Sequence, residues 1–295
     1  MAATHAPGRG TARVSRLGRR QGVRTGLLLL PPMLWLGVAY LLALGALLIT
    51  AFWTQDDFTG AIQRQWTLDN FRDLFTIKVY RTITVRTLGI AALVTVIDAV
   101  LAFPIALYMA KVASPRAQRL LVIAVLMPLW ASYLVKAYAW RGMLSQGGLI
   151  DWVLGPFGLQ SPGYGLLATI MTLAYLWLPF MILPVYAGLQ RLPDSLLEAS
   201  ADLGARSGST LLRVVLPQAF PALVAGSIFT FSLSMGDFIA VTIVGGTTQL
   251  LGNVVYNNIG AANNLPFAAA VATVPIAVML VYLAVVRRTG ALENL

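Results

Sequence analysis

Polar residues are scarce along most of this chain, and their spacing marks off six apolar runs. Each is long enough to cross a bilayer, which takes about 20 residues of helix. The runs are Gly26–Phe52, Thr82–Ala110, Leu120–Trp140, Leu166–Ala187, Phe220–Val244 and Phe267–Val286. They are apolar nearly all round a helical wheel, which suits helices surrounded by lipid or by one another. Backbone N–H and C=O groups find no water in lipid, so the runs are expected to be helices. Between the first two runs the pattern changes. Leu68, Phe71, Leu74 and Phe75 recur at helical spacing, with Asp69, Arg72 and Asp73 between them. That predicts a short amphipathic helix, which either caps the bundle or offers a docking surface to an external partner. The expected fold is an all-α integral membrane protein: a basic tail over 1–25, a six-helix domain over 26–290 and a short end over 291–295.

Composition supports this class. Hydrophobic residues make up 58% of the 295 positions and charged residues 11%, against about 45–50% and about 25% in soluble domains. Mean hydropathy is +0.77. With Cys 0, the chain has no disulfide, thiolate metal site or Cys nucleophile. The single His, His5, stands in the polar tail, which removes imidazole catalysis and His-ligated zinc.

The net charge of +10 would fit nucleic acid, but its placement argues for membrane topology instead. Arg9, Arg13, Arg16, Arg19, Arg20 and Arg24 precede the first run. Lys111, Arg116 and Arg119 lie between the second and third, Arg191, Arg206 and Arg213 between the fourth and fifth, and Arg287 and Arg288 after the last. The opposite side carries fewer: Arg64, Arg72, Lys78, Arg81 and Arg141. The positive-inside rule then puts both termini in the cytoplasm of a multi-pass protein of the cell (inner) membrane. The basic leader resembles a signal peptide, but the first apolar run exceeds the about 7–15 residues of a signal core, so an uncleaved span is expected.

The connection Gln190–Gln218 is long for an internal loop. Ser195 and Glu198 stand as S-x-x-E after Pro193, the spacing of a capping box. Leu196, Leu197 and Ala201 continue a short helix, and Gly204 can close it in a left-handed cap. A second turn from near Ser209 is expected to bury Leu211, Leu212, Val214 and Val215 and to stop at Pro217. Two short helices at an angle suit mechanical contact with a cytoplasmic protein, or an interfacial element resting in the headgroups.

In this segment Glu198-Ala199-Ser200, Gly204, Val214, Leu216 and Pro217 resemble the EAA signature of permease subunits of ABC importers. The spacing is kept; Ser200 stands where the signature prefers Ala, and Val214 where it prefers Ile. The resemblance implies a type I importer permease fold in which this segment is the coupling helix. Glu198, Ala199 and Gly204 would then meet the ATPase subunit, with Ser200, Asp202, Ala205, Leu216 and Pro217 in the same element. Further stretches resemble spermidine/putrescine permease subunits: Leu68–Phe75, Met127–Trp140, Tyr175–Leu189 and Met235–Gly246. One departure falls after Gly236-Asp237-Phe238-Ile239, where Ala240 and Val241 stand in place of a frequent Pro. By resemblance the partners are ABC ATPase subunits, a second permease subunit and a periplasmic or extracellular solute-binding protein. No nucleic acid partner is implied.

The chain has no Gly-x-x-x-x-Gly-Lys-[Ser/Thr], and none of Lys78, Lys111 and Lys136 follows a glycine. A phosphate-cradling loop needs both parts. No cofactor is therefore expected on this chain, and ATP belongs on the partner. A stand-alone secondary transporter or channel for a small cation is the alternative. An intramembrane enzyme is a poor reading, with no Cys, no His outside the tail and no paired carboxylates on one span.

Asp98, Asp237 and Lys136 interrupt apolar runs, at about 2.5–3.5 kcal/mol each for a mid-span charge. Asp237, and with it Asp98, is read either as lining a path for a cation or as a structural group, paired with Lys136 or bonded to a helix end. Trp177 and Tyr175 lie deep in the fourth run, facing a cavity or filling the core. Trp130, Tyr133, Tyr138 and Trp140 near span ends read as interfacial anchors. Pro104, Pro179, Pro184 and Pro275 lie within spans and predict kinks.

Overall fold

The computed structural model describes residues 11–56 and 59–288; His5, Arg9 and residues 291–295 lie outside them. Among the described residues five helices are long and apolar enough to cross a membrane, or six if a bent pair counts as one span. The chain divides into two units, one ending at Thr50 and the other beginning at Ala51. The first holds α1 (Thr11–Thr50), whose apolar part is Leu28–Thr50. The helix thus already begins within the stretch read as tail.

The second unit opens with a two-residue antiparallel hairpin, β1 (Thr54–Gln55) with β2 (Ile62–Gln63). The amphipathic pattern that follows forms α2 (Asp69–Thr76). Leu74 is buried, and Phe71 packs against Ala51, Ala269 and Ala270. Asn70 Nδ2 donates to the carbonyls of Ala51 (2.9 Å) and Trp53 (2.8 Å). Leu68 and Phe75, on the same predicted stripe, stay exposed. The inward face is therefore narrower than the sequence implied, and it caps α3 (Lys78–Leu107) and α13 (Leu265–Arg288).

Three helices form the centre: α3, α7 (Leu166–Gln190) and α10 (Leu216–Gly236). Lipid tails are as apolar as leucine, so dispersion and close approach hold such helices together. Small residues permit that approach. A Cβ on Gly188 of α7 would lie 2.4 Å from Ala222 Cβ of α10, and one on Gly226 would lie 2.5 Å from Met181 Sδ. Ala102, Ala106, Met181, Val185 and Ala219 complete this core. Pro104, Pro179, Pro184 and Pro275 lie inside helices as the sequence placed them.

Two apolar runs are broken rather than continuous. Leu120–Trp140 divides into α4 (Pro115–Trp130) and α5 (Tyr133–Leu144), bent by 94° where Ala131 and Ser132 are extended. Phe220–Val244 divides at Asp237, which is extended, into α10 and α11 (Ile239–Val244). The uncharged connection after it holds α12 (Leu251–Ile259), tucked against this break: a Cβ on Gly252 would lie 2.9 Å from the carbonyl oxygens of Gly236 and Asp237. Between α5 and α7, the short α6 (Leu149–Leu154) is closed by Asp151, which accepts the N–H of Gly147 (2.7 Å) and of Ser161. These two donors hold the Asp151 carboxyl below its ordinary pKa.

Candidate functional site

The segment 190–218 projects from one end of the central helices. Lys111 stands on the π-turn Tyr108–Val112 that ends the α3 span. Its Nζ donates to the Leu192 carbonyl (2.5 Å) and to Asp194 Oδ1 (2.6 Å). That contact pins the start of α8 (Asp194–Asp202). The capping box read at Ser195 and Glu198 does not form. The helix already begins at Asp194, directly after Pro193, so Ser195 sits inside the first turn and no side chain caps it. The far end follows expectation. Gly204 has φ +75°, its N–H donates to Ala201 O (2.8 Å) and that of Ala205 to Ser200 O (3.1 Å). This bond pair is a Schellman cap, and it needs the left-handed residue that glycine supplies.

Ser200 is buried, and its hydroxyl lies 2.8 Å from that of Thr210 on α9 (Ser207–Thr210). A hydroxyl in place of alanine's methyl thus ties the two short helices together. Glu198, Ala199, Asp202 and Gly204 are exposed, Ala205 is half-buried, and Leu203 is 88% exposed at the tip. Beyond α9, Pro217 does not stop the helix. Leu211–Val215 widens into a π-turn, with the Leu216 N–H reaching Leu211 O, and α10 continues from Leu216. A proline ring collides with the carbonyl four residues back in a regular helix, and the wider turn makes room for it. Val215 is buried as expected, but Leu212 is 65% exposed.

A second constellation lies at the break in the fifth span. Asp237 Oδ1 accepts the Ala240 N–H (2.9 Å), capping α11, and Oδ2 accepts the Tyr133 hydroxyl from the start of α5. The carboxylate is 7% exposed. Asn253 on α12 donates to the Phe238 carbonyl (3.1 Å), which also accepts the Thr242 N–H (2.9 Å), and to Thr242 Oγ1 (2.9 Å). The Tyr133 ring lies 5.9 Å from that of Trp177, and Tyr256 stacks on Phe238 at 4.7 Å. Tyr133, Trp177, Asp237, Phe238 and Ser232 line a cavity of about 280 Å³. Trp177 Nε1 is buried without a partner among the described residues. The site is thus a carboxylate with aromatic walls, suited to a cation with an apolar body.

Residues 91–290 match the family model described as the binding-protein-dependent transport system inner membrane component. That range runs from α3 through α13 and includes both constellations. The chain belongs to this family. It is a permease subunit of an ABC importer, a multi-pass inner-membrane transport subunit rather than an enzyme. It is 47% identical over 289 residues to the inner membrane ABC transporter permease protein YdcU of Escherichia coli, covering 93% of this chain and 92% of that one. It is 32% identical to the spermidine/putrescine transport system permease protein PotB of Haemophilus influenzae, over 77% of this chain and 81% of the relative. Among solved structures it resembles a bacterial ABC transporter that imports alginate, with TM-score 0.70 and 18% identity over 94% of this chain and 99% of that one. It also resembles the MetNI methionine transporter, with TM-score 0.54 and 19% identity over 74% and 99%. These two likenesses concern the fold.

Within this permease the residues singled out from sequence separate into groups. Asp237 and Trp177 meet at the cavity; Asp98 and Tyr175 do not line it. Tyr175 pairs with Trp140 at 5.5 Å. Lys136 forms no ion pair with Asp237, whose partners are Tyr133 and the Ala240 amide. Tyr133 was placed by sequence among interfacial anchors. Asn253 carried no distinguishing pattern and Phe238 was marked only by the Met235–Gly246 resemblance, although an Asp three residues ahead of Ala240 has the spacing of a helix cap. Asp98 is 0% exposed on α3, and neither carboxyl oxygen has a partner among the described residues. An unpartnered buried carboxyl costs stability that an apolar side chain of similar size does not. Asp98→Leu is therefore expected to raise the thermal midpoint of the purified permease by a few degrees, read by unfolding in detergent. A lowered midpoint would mean that the Asp98 carboxyl is held by a stabilising contact within the permease itself.

Proposed function

We propose that this permease translocates a polyamine or a similar small organic cation, handed over by an external binding protein. Both termini are cytoplasmic, as the Lys and Arg placement argues. A second permease subunit completes the path, and ATP is bound and hydrolysed on separate ATPase subunits that press on residues 190–218. Exposed Glu198, Ala199, Asp202 and Leu203 form the contact. Ser200, Gly204, Ala205, Leu216 and Pro217 hold its shape. A rigid lever joined directly to α10 can pass movement from the ATPases to the break at Asp237.

The substrate reading rests on one observation: a single carboxylate set among the rings of Tyr133, Trp177 and Phe238. Aromatic faces attract an ammonium group, and the methylene chain of a polyamine suits the same walls. The PotB relatives named for spermidine and putrescine agree with this chemistry.

Asp237→Asn separates charge from architecture. Asn caps a helix about as well as Asp, so α11 is expected to remain while the negative charge is lost. Uptake of putrescine and spermidine by the complete transporter in proteoliposomes should fall at least about tenfold, with normal expression. Undiminished uptake would remove Asp237 from the path. ATP-independent uptake by the permease alone would instead favour a secondary transporter.

A further inference from the structure

We propose that Tyr133 sets how tightly this site holds its substrate, by competing with the substrate's ammonium group for Asp237. The inference rests on the reading of the cavity as a cation site and concerns a residue that the sequence placed at the membrane surface. Tyr133 is the first residue of α5, and the 94° bend after α4 carries it to the cavity. Its hydroxyl donates to Asp237 Oδ2 while the Ala240 amide donates to Oδ1. A carboxylate has about four lone-pair positions. Both oxygens are therefore partly satisfied with no substrate present, and a buried carboxylate does not have to hold a cation to be stable.

This arrangement meets the central demand on a translocation path. Binding must be favourable enough to admit the ion and weak enough to release it. A primary ammonium reaching Asp237 displaces the Tyr133 hydroxyl or shares Oδ2 with it. When the ion leaves, the hydroxyl returns and repays the carboxylate's lost hydrogen bond. Tyr133 is a positioning residue in this account, because it acts through Asp237. Its ring, 5.9 Å from that of Trp177, stays as part of the wall whether the hydroxyl is bound or displaced. A quaternary ammonium has no N–H with which to replace the phenol. It is attracted to the rings and the charge alone, so the competition does not reach it.

The test is Tyr133→Phe, which keeps the ring and removes only the hydroxyl. The permease–ATPase complex, without its binding protein, is titrated by equilibrium dialysis with putrescine and with its fully N-methylated bis-quaternary analogue. Removing the competing donor leaves Oδ2 unsatisfied, and a hydrogen bond to a charged group is worth about tenfold or more in affinity. Putrescine should bind about tenfold more tightly to the variant, while the analogue changes by less than about threefold. In proteoliposomes with the binding protein present, KM and maximal rate should fall together as release slows. Weaker binding of both probes, or a loss of rate at unchanged KM, would show a merely structural tyrosine and overturn the proposal. Unchanged putrescine affinity would overturn it too. Co-purification of the ATPase with the variant checks that the fold is intact. Failure of the wild-type complex to bind either probe would be a failure of the cation-site reading itself, and Asp237→Asn marks that outcome separately.

Discussion

Replacing Leu203 with glutamate is expected to abolish ATP-driven uptake while leaving the permease folded in the membrane. A leucine that is 88% exposed at the end of α8 contributes nothing to its own domain, so the substitution has no core to disturb. Its outward position is fixed from behind. Gly204, at φ +75°, turns the chain away immediately after it, and the Ser200–Thr210 contact holds α8 against α9. If Leu203 fills a cleft of the ATPase, a charge there should cost about 2 kcal/mol or more, the range of interface hot spots, equivalent to at least about thirtyfold in affinity. Pull-down of the ATPase with the tagged permease reads the loss directly, and Glu198→Arg should behave alike. Retained ATPase together with full uptake would detach this segment from the drive mechanism.

The second large effect is expected where α7 and α10 touch. Gly188→Ala should lower the thermal midpoint of the purified permease sharply, because the added Cβ would stand 2.4 Å from Ala222 Cβ. Neither atom is the movable end of a side chain, so the helices themselves must separate. Overpacking of this kind costs about 1–3 kcal/mol. Adding Ala222→Gly to the same chain should restore most of the lost stability, since it vacates the space. The four proteins of this cycle, compared in one detergent, isolate the pair from everything else. Additive losses in the double variant would show that the two residues do not share one contact.

The parts of this structure that were legible in the sequence are those with a strong local cause. Twenty-residue apolar stretches favour a helical backbone in lipid, and so helices over these runs followed from the pattern. Gly204 was legible because a left-handed helix end selects glycine. The breaks were not legible. Ala131 and Ser132 are small and uncharged, and little in a hydropathy pattern separates them from the residues on either side. Asp237 was visible as a charge, but its role as a helix cap depends on the chain turning extended at Asp237 itself, a break against which Asn253 of α12 then packs. Tyr133 was misplaced for the same reason: the bend that precedes it sends it inward instead of to the surface. The Ser195–Glu198 pair has the spacing of a capping box but stands two residues too late, because the cap position falls on Pro193. Lys111, distant in sequence, secures the helix start in its place.

The π-turn at Leu211–Val215 has a further consequence. It holds one residue more than the regular helix would accommodate, and each residue of an α-helix advances the chain by about 100°. The azimuth at which α8 and α9 leave the bundle is therefore indexed by a single surplus position. Deleting it would leave every contact within the two short helices intact, yet aim the whole tip at a different quadrant.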